Sequence, residues 1–105
     1  MPYFVLIRER SAGWNWSKPM RRQPEWDAHA VFMDALEFEG FIAAGGPLGD
    51  EDDATQVMLV VSAPDRNAVE IRMAEDPWTP MRLLTTVSIT PWTVLLGGFS
   101  AGASM

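Results

Sequence analysis

Cysteine is absent from the chain, so neither a disulfide framework nor a thiolate metal site can form, and the sequence suits a reducing cytoplasm. Histidine occurs once. A single imidazole without thiolates makes a transition-metal or haem centre a poor fit, and we expect no metal and no cofactor. Basic residues are scarce: eight lysines and arginines against fourteen aspartates and glutamates give a net charge of −6. Nucleic-acid binding depends on basic surface and counterion release, so it is not an expected activity. Long apolar runs are missing too. Tyr3 to Ile7 is too short for a signal peptide and is followed at once by Arg8-Glu9-Arg10, and no run approaches a membrane span. The expected location is the cytoplasm, which makes the formal sequon Asn15-Trp16-Ser17 a chance match.

Two further patterns fail on context. Gly98-Phe99-Ser100-Ala101-Gly102 has the G-x-S-x-G form of serine hydrolases, but that serine needs its acid and histidine later in the chain, and the sole histidine lies far upstream. Gly49-Asp50-Glu51-Asp52-Asp53 is acidic but lacks the alternating oxygen spacing of a calcium loop, and reads as a solvated turn.

With 48% hydrophobic and 21% charged residues the composition is that of a globular protein. We expect one domain over residues 1–96 and a flexible tail over 97–105. Tyr3 to Ile7 and Gln56 to Val61 are apolar on both faces and should be the central strands. Phe41 to Leu48 is a strand rich in small residues. Thr86 to Thr90 alternates as a strand, Pro91 should break it, and Trp92 to Leu96 should resume extended structure.

A helix is expected over Gln23 to Gly40, with Pro24 in its first turn and Gly40 as a left-handed stop. At about 100° per residue, Phe32, Met33 and Leu36 share the side of His29, with Trp26 at its edge, and Asp27, Asp34 and Glu37 fall opposite. A second helix spans Asp65 to Glu75, with Ala68, Ile71 and Met73 as inward candidates, and Asp76-Pro77 ends it. The loop Ser11 to Gln23 is long for a compact domain, and its tryptophans should cover something.

The order strand, helix, strand, strand, helix, strand predicts an α+β, ferredoxin-like βαββαβ fold: an antiparallel sheet with two helices on one face. The other face is left uncovered by this chain, and a second copy is its simplest cover. A homodimer is the expected partner.

Pro24-Glu25-Trp26-Asp27-Ala28-His29, Gly45-Gly46-Pro47-Leu48, Ala74-Glu75-Asp76-Pro77-Trp78 and Ser88-Ile89-Thr90-Pro91-Trp92 occur in this order, and with them the chain resembles the YCII-related family of the dimeric α/β-barrel superfamily. The resemblance implies a dimeric α/β barrel and a histidine-aspartate dyad at His29 and Asp76. It also implies chemistry of the kind seen in a relative that dehydrochlorinates a chlorinated hydroxyquinol. An Asp76 carboxylate bonded to one imidazole nitrogen would make the other a stronger base.

Around such a dyad, Trp14, Trp16, Trp26 and Trp78 could form a flat slot for a ring, Gly46 and Pro47 allow close approach, and Ser88 belongs to the late motif. Arg21 and Arg22 could meet an anionic substrate. The expected function is a cofactor-independent lyase or isomerase acting on a small ring or carbonyl compound. The alternative is a non-catalytic ligand-binding or regulatory module on the same fold.

Overall fold

β-Branched and aromatic residues start the chain as strand β1, Tyr3–Arg10, which pairs antiparallel on both sides, with β3 (Gln56–Ser62) and β4 (Leu84–Trp92). β2 (Ile42–Pro47) lies outside β3, so the order in this computed structural model, which describes residues 1–99, is β2-β3-β1-β4. The two strands that are apolar on both faces are central, as their composition requires. Helices α1 (Trp26–Phe38) and α2 (Arg66–Ala74) pack on one face, where Leu36, Val69 and Met73 close over Phe4, Leu6, Leu59, Val61 and Ile89. This is the expected α+β, ferredoxin-like sheet.

β1 runs three residues beyond Ile7, and its buried side chains are Phe4, Leu6, Arg8 and Arg10. The alternation of the pleat therefore carries two arginines onto the helix-covered face. The opposite face presents Tyr3, Val5 and Ile7 in register with Ser62, Val60 and Met58.

Local boundaries differ from expectation in three places. α1 begins at Trp26, because Glu25 takes a left-handed conformation (φ 58°) that cannot extend a helix back to Pro24. Its end is as expected: Gly40 at φ 85° lets its own N–H reach Glu37 O while Phe41 N–H reaches Leu36 O. α2 is capped by the Asp65 carboxylate on Ala68 N–H at 2.8 Å, and its buried pair is Val69 and Met73, four apart, which turns Ile71 out to solvent. Pro91 does not break β4. It pairs opposite Phe4 within an edge strand, where a missing N–H is tolerated, and the strand ends at Trp92 without resuming.

Of the expected tail, residues 100–105 lie outside the described range, as does the serine of the G-x-S-x-G pattern. Phe99 sets its ring 5.6 Å from Tyr3 and 5.7 Å from Trp92.

The Ser11–Gln23 loop is pinned to the turn before β4. Gly13 N–H donates to Arg82 O at 2.9 Å, and a Cβ there would strike the Met81 carbonyl oxygen and sit 3.1 Å from the Arg82 carbonyl carbon. Gly13→Ala should therefore lower stability by about 1–3 kcal/mol. An unchanged urea midpoint would show that the loop yields freely.

Candidate active site

Three segments distant in sequence meet beneath the first turns of α1. Asp76, in the turn after α2, is fully buried and bonded on both oxygens. Its Oδ2 accepts from Arg8 Nη1 at 2.7 Å; its Oδ1 lies 2.8 Å from His29 Nδ1 and accepts from Trp78 N–H at 3.0 Å. Burial by itself pushes the Asp76 pKa up. The hydrogen bond and charge of His29, then Trp78 N–H and Arg8, outweigh that penalty and hold the pKa below the ordinary aspartate value. An ionised carboxylate only accepts, so Nδ1 carries the hydrogen and Nε2 of a neutral His29 is left with a free lone pair.

This pKa has a consequence for acid stability. The folded value lies below the unfolded value of about 3.9, so ionised Asp76 stabilises the fold above that pH, and the contribution is lost as pH falls through the folded value. We expect the urea midpoint to drop as the medium is acidified below about pH 4. Asp76→Asn should start lower and lose this part of the acid limb; an identical limb in both proteins would assign the effect to other carboxylates.

The imidazole is fixed from its face as well. It stacks on Trp78 with ring centres 3.8 Å apart and planes 6° from parallel, and Trp26 lies 5.9 Å away. Trp78 is anchored in turn by Nε1–H donating to Pro24 O at 2.7 Å and by the edge of Trp14 at 5.4 Å. Arg8 is tied beyond Asp76 as well: Nη2 donates to Thr79 Oγ1 at 2.8 Å, and that hydroxyl donates to Met73 O at 2.8 Å. The polar centre is therefore held rigidly on three sides.

His29 forms part of the wall of a cavity of about 340 Å³ between α1, the sheet and the Ser11–Gln23 loop. This is within the range of small-molecule sites. Arg8, Arg10, Trp14, Trp26, Trp78, Met33, Gly45, Gly46, Pro47 and Leu59 line it, and Asp34 and Glu37 stand at an exposed rim. Their position corrects the expectation that both carboxylates face away from His29. Along α1, Trp26, His29, Met33 and Glu37 recur at helical spacing and form one flank, while Leu36 faces the core, so the cavity runs along the side of the helix.

The residues expected around the dyad divide. Trp14, Trp26, Trp78, Gly46, Pro47 and Arg21 are at the cavity, Arg21 paired with Glu51 at 3.0 Å and its guanidinium carbon 5.5 Å from the Trp26 ring centre. Three stand elsewhere. Trp16 is half exposed and reaches only the outer side of Trp14, at 6.1 Å. Arg22 lines a shallow surface depression with Glu25 and Asp27. Ser88 is on β4 opposite Ile7, on the face turned away from the helices. The acidic turn is more than a solvated tip, because Asp52 Oδ1 accepts Met20 N–H at 2.9 Å and so ties down the covering loop.

Arg8, Arg10 and Thr79 were not foreseen. The signal for the arginines was present in the period-two run Phe4, Leu6, Arg8, Arg10. Among the described residues no helix is long and apolar enough to cross a membrane, and no group of three or more histidine, cysteine or carboxylate side chains is placed to hold a metal.

A family model described as the YCII-related domain matches residues 1–93. Among solved structures the chain is similar to 5-chloro-2-hydroxyhydroquinone dehydrochlorinase from Burkholderia phenoliruptrix, in complex with 2,5-dihydroxybenzoquinone. Identity is 24% and the TM-score 0.59, over 87% of this chain and 93% of that one. At that identity the likeness establishes a shared fold. No curated protein matches the chain.

Proposed function

The chain belongs to the YCII-related family, and from that premise we propose that it is a small-molecule enzyme, a lyase or isomerase in which His29 moves protons and Asp76 holds it in the reactive tautomer. One observation carries the proposal: Nδ1 of the only histidine is engaged by a buried, ionised carboxylate, while its ring forms part of a cavity wall. The similar solved structure is that of a dehydrochlorinase acting on a chlorinated hydroxyhydroquinone, which makes hydroxylated rings the first substrates to try.

The chemistry uses proton transfers alone. Nε2 takes a proton from a ring hydroxyl and delivers it to a ring carbon, converting the enol to its keto tautomer. For an isomerase the reaction ends there. Where that carbon bears chlorine, removal of a second hydroxyl proton forms a second carbonyl as chloride leaves with the C–Cl electron pair, and the net change is loss of HCl. Trp26, partly exposed at the cavity, offers flat apolar surface to the ring, while the buried Trp78 backs the imidazole.

The test is chloride release from 5-chloro-2-hydroxyhydroquinone by the wild type and by His29→Ala. Release by the wild type alone supports the assignment. Binding without release by the wild type would return the cavity to a non-catalytic role.

The same reading includes a homodimer formed through the uncovered sheet face. Val5, Ile7 and Met58, all partly exposed, lie together there, and among the described residues no helix covers them. Light scattering at micromolar concentration should give twice the 11.7 kDa chain mass; a monomer would remove the dimer from the proposal.

A further inference from the structure

Three buried hydrogen-bond donors, Arg8 Nε, Arg10 Nε and Trp14 Nε1, meet no acceptor among the described residues. All three residues line the cavity, and each is at least 95% buried. Native proteins rarely leave buried donors unpaired, and those that remain unpaired call for a specific explanation. The rest of each side chain is fully committed. Arg8 spends its two Nη groups on Asp76, Thr79 and the Leu84 carbonyl. Arg10 donates Nη1 to Ala54 O at 2.8 Å and Nη2 to Glu51 O, and its guanidinium carbon lies 4.1 Å from the Trp14 ring centre. These bonds fix the planes of both guanidiniums, so the unpaired N–H groups are held in place before any ligand arrives.

The set is one-sided in charge as well as in hydrogen bonding. Two buried guanidiniums share one buried carboxylate, that of Asp76. Arg10 bonds only to backbone carbonyls. The charges it feels most are Asp52, Glu51, Asp50 and Asp53 on the turn after β2, and none of these is buried. Of the carboxylates that line the cavity, Asp34 and Glu37 are exposed, so water screens them from the interior, and Glu51 is paired with Arg21. A neutral, apolar ring would leave all three donors unpaired, whereas an oxyanion would satisfy them and the excess charge together.

We propose that Trp14, Arg10 and Arg8 form an oxyanion subsite, and that the ligand of this cavity is a ring-sized compound bound as its anion through an ionised ring oxygen or a carboxylate. This names the substrate class for the acid-base site and rests on that reading only in taking the same cavity as the substrate's place. An ionised ring oxygen held at this wall would draw electron density toward itself and leave the rest of the ring facing His29.

Binding tests it without turnover. The probes are 2,5-dihydroxybenzoquinone, a vinylogous acid that is ionised at neutral pH, and 2,5-dimethylbenzoquinone, of similar size and unable to ionise. Calorimetry on the wild type should show the ionised ring bound at least about tenfold more tightly, as expected for a charge-assisted hydrogen bond. Trp14→Phe deletes one donor and keeps an aromatic ring; it should weaken the ionised probe about tenfold or more and leave the methylated one unchanged. Arg10→Lys, which keeps the charge and loses Nε–H, should shift the preference the same way. Equal affinities in the wild type, no binding of either probe, or a preference untouched in both variants would overturn the subsite. The wild-type comparison stands even if a variant does not fold. A clear anion preference in a protein that releases no chloride would keep the subsite and remove the proposed reaction.

Discussion

Replacing Arg8 by methionine should cost about 3–5 kcal/mol of stability, although the new side chain is apolar and of suitable length for a strand facing the core. The loss arises at Asp76, which has no exposed surface and would keep its charge without the guanidinium 2.7 Å away. Thr79 Oγ1 and the Leu84 carbonyl would each lose a donor as well. Because stranding one charge is what costs most, the double variant Arg8→Met with Asp76→Leu should be closer to the wild type than the two single losses added together. Urea denaturation of the four proteins completes the cycle. A single-variant loss under about 1 kcal/mol would mean that Asp76 finds water or another cation, and that the pairing with Arg8 is incidental to the fold.

His29→Ala should lower kcat by about 10²–10⁴, the usual contribution of a positioned general base. Folding should survive the change, since Asp76 keeps Arg8 and Trp78 N–H as donors and Trp78 keeps its bond to Pro24 O. Circular dichroism checks that point before kinetics are compared. Because the imidazole works only while a proton is being moved, the loss should fall on kcat and leave the affinity for 2,5-dihydroxybenzoquinone nearly intact. Turnover within tenfold of the wild type would exclude His29 as the base, and an equal loss of binding would make it a ligand contact instead.

Much of this arrangement was legible before any coordinates. The two strands apolar on both faces are the inner strands, and the βαββαβ order sets the sheet. Helical periodicity turned His29 inward, and the family resemblance named Asp76, whose side chain does meet it. What escaped were charged side chains in buried positions. Arg8 and Arg10 look like the solvated end of a strand because burying a guanidinium is rare, and only their acceptors make it tolerable: Asp76 for Arg8, and the carbonyls of Ala54 and Glu51 for Arg10. Those acceptors lie 68, 44 and 41 residues away. No local pattern encodes such pairings. Pro91 misled for a related reason, since a proline ends a central strand and is harmless at an edge, and which strands are edges is a property of the whole sheet. Trp16 was expected in the aromatic slot, Arg22 as a contact for an anion and Ser88 through the late motif, but a residue's place in a loop or motif does not fix which way its side chain points.

Both outer strands of the sheet contain a proline, Pro47 in β2 and Pro91 in β4. In β2 the neighbouring Leu48 N–H turns inward to Gln56 O, so alternation of the ladder directs the position of Pro47 outward, where a donor is missing. An extended segment arriving from another molecule would meet an interrupted row of hydrogen-bonding groups at that margin. Growth of the sheet strand by strand, the route to open-ended fibrous assemblies, is thereby disfavoured in a protein whose central strands are among the most apolar segments it has.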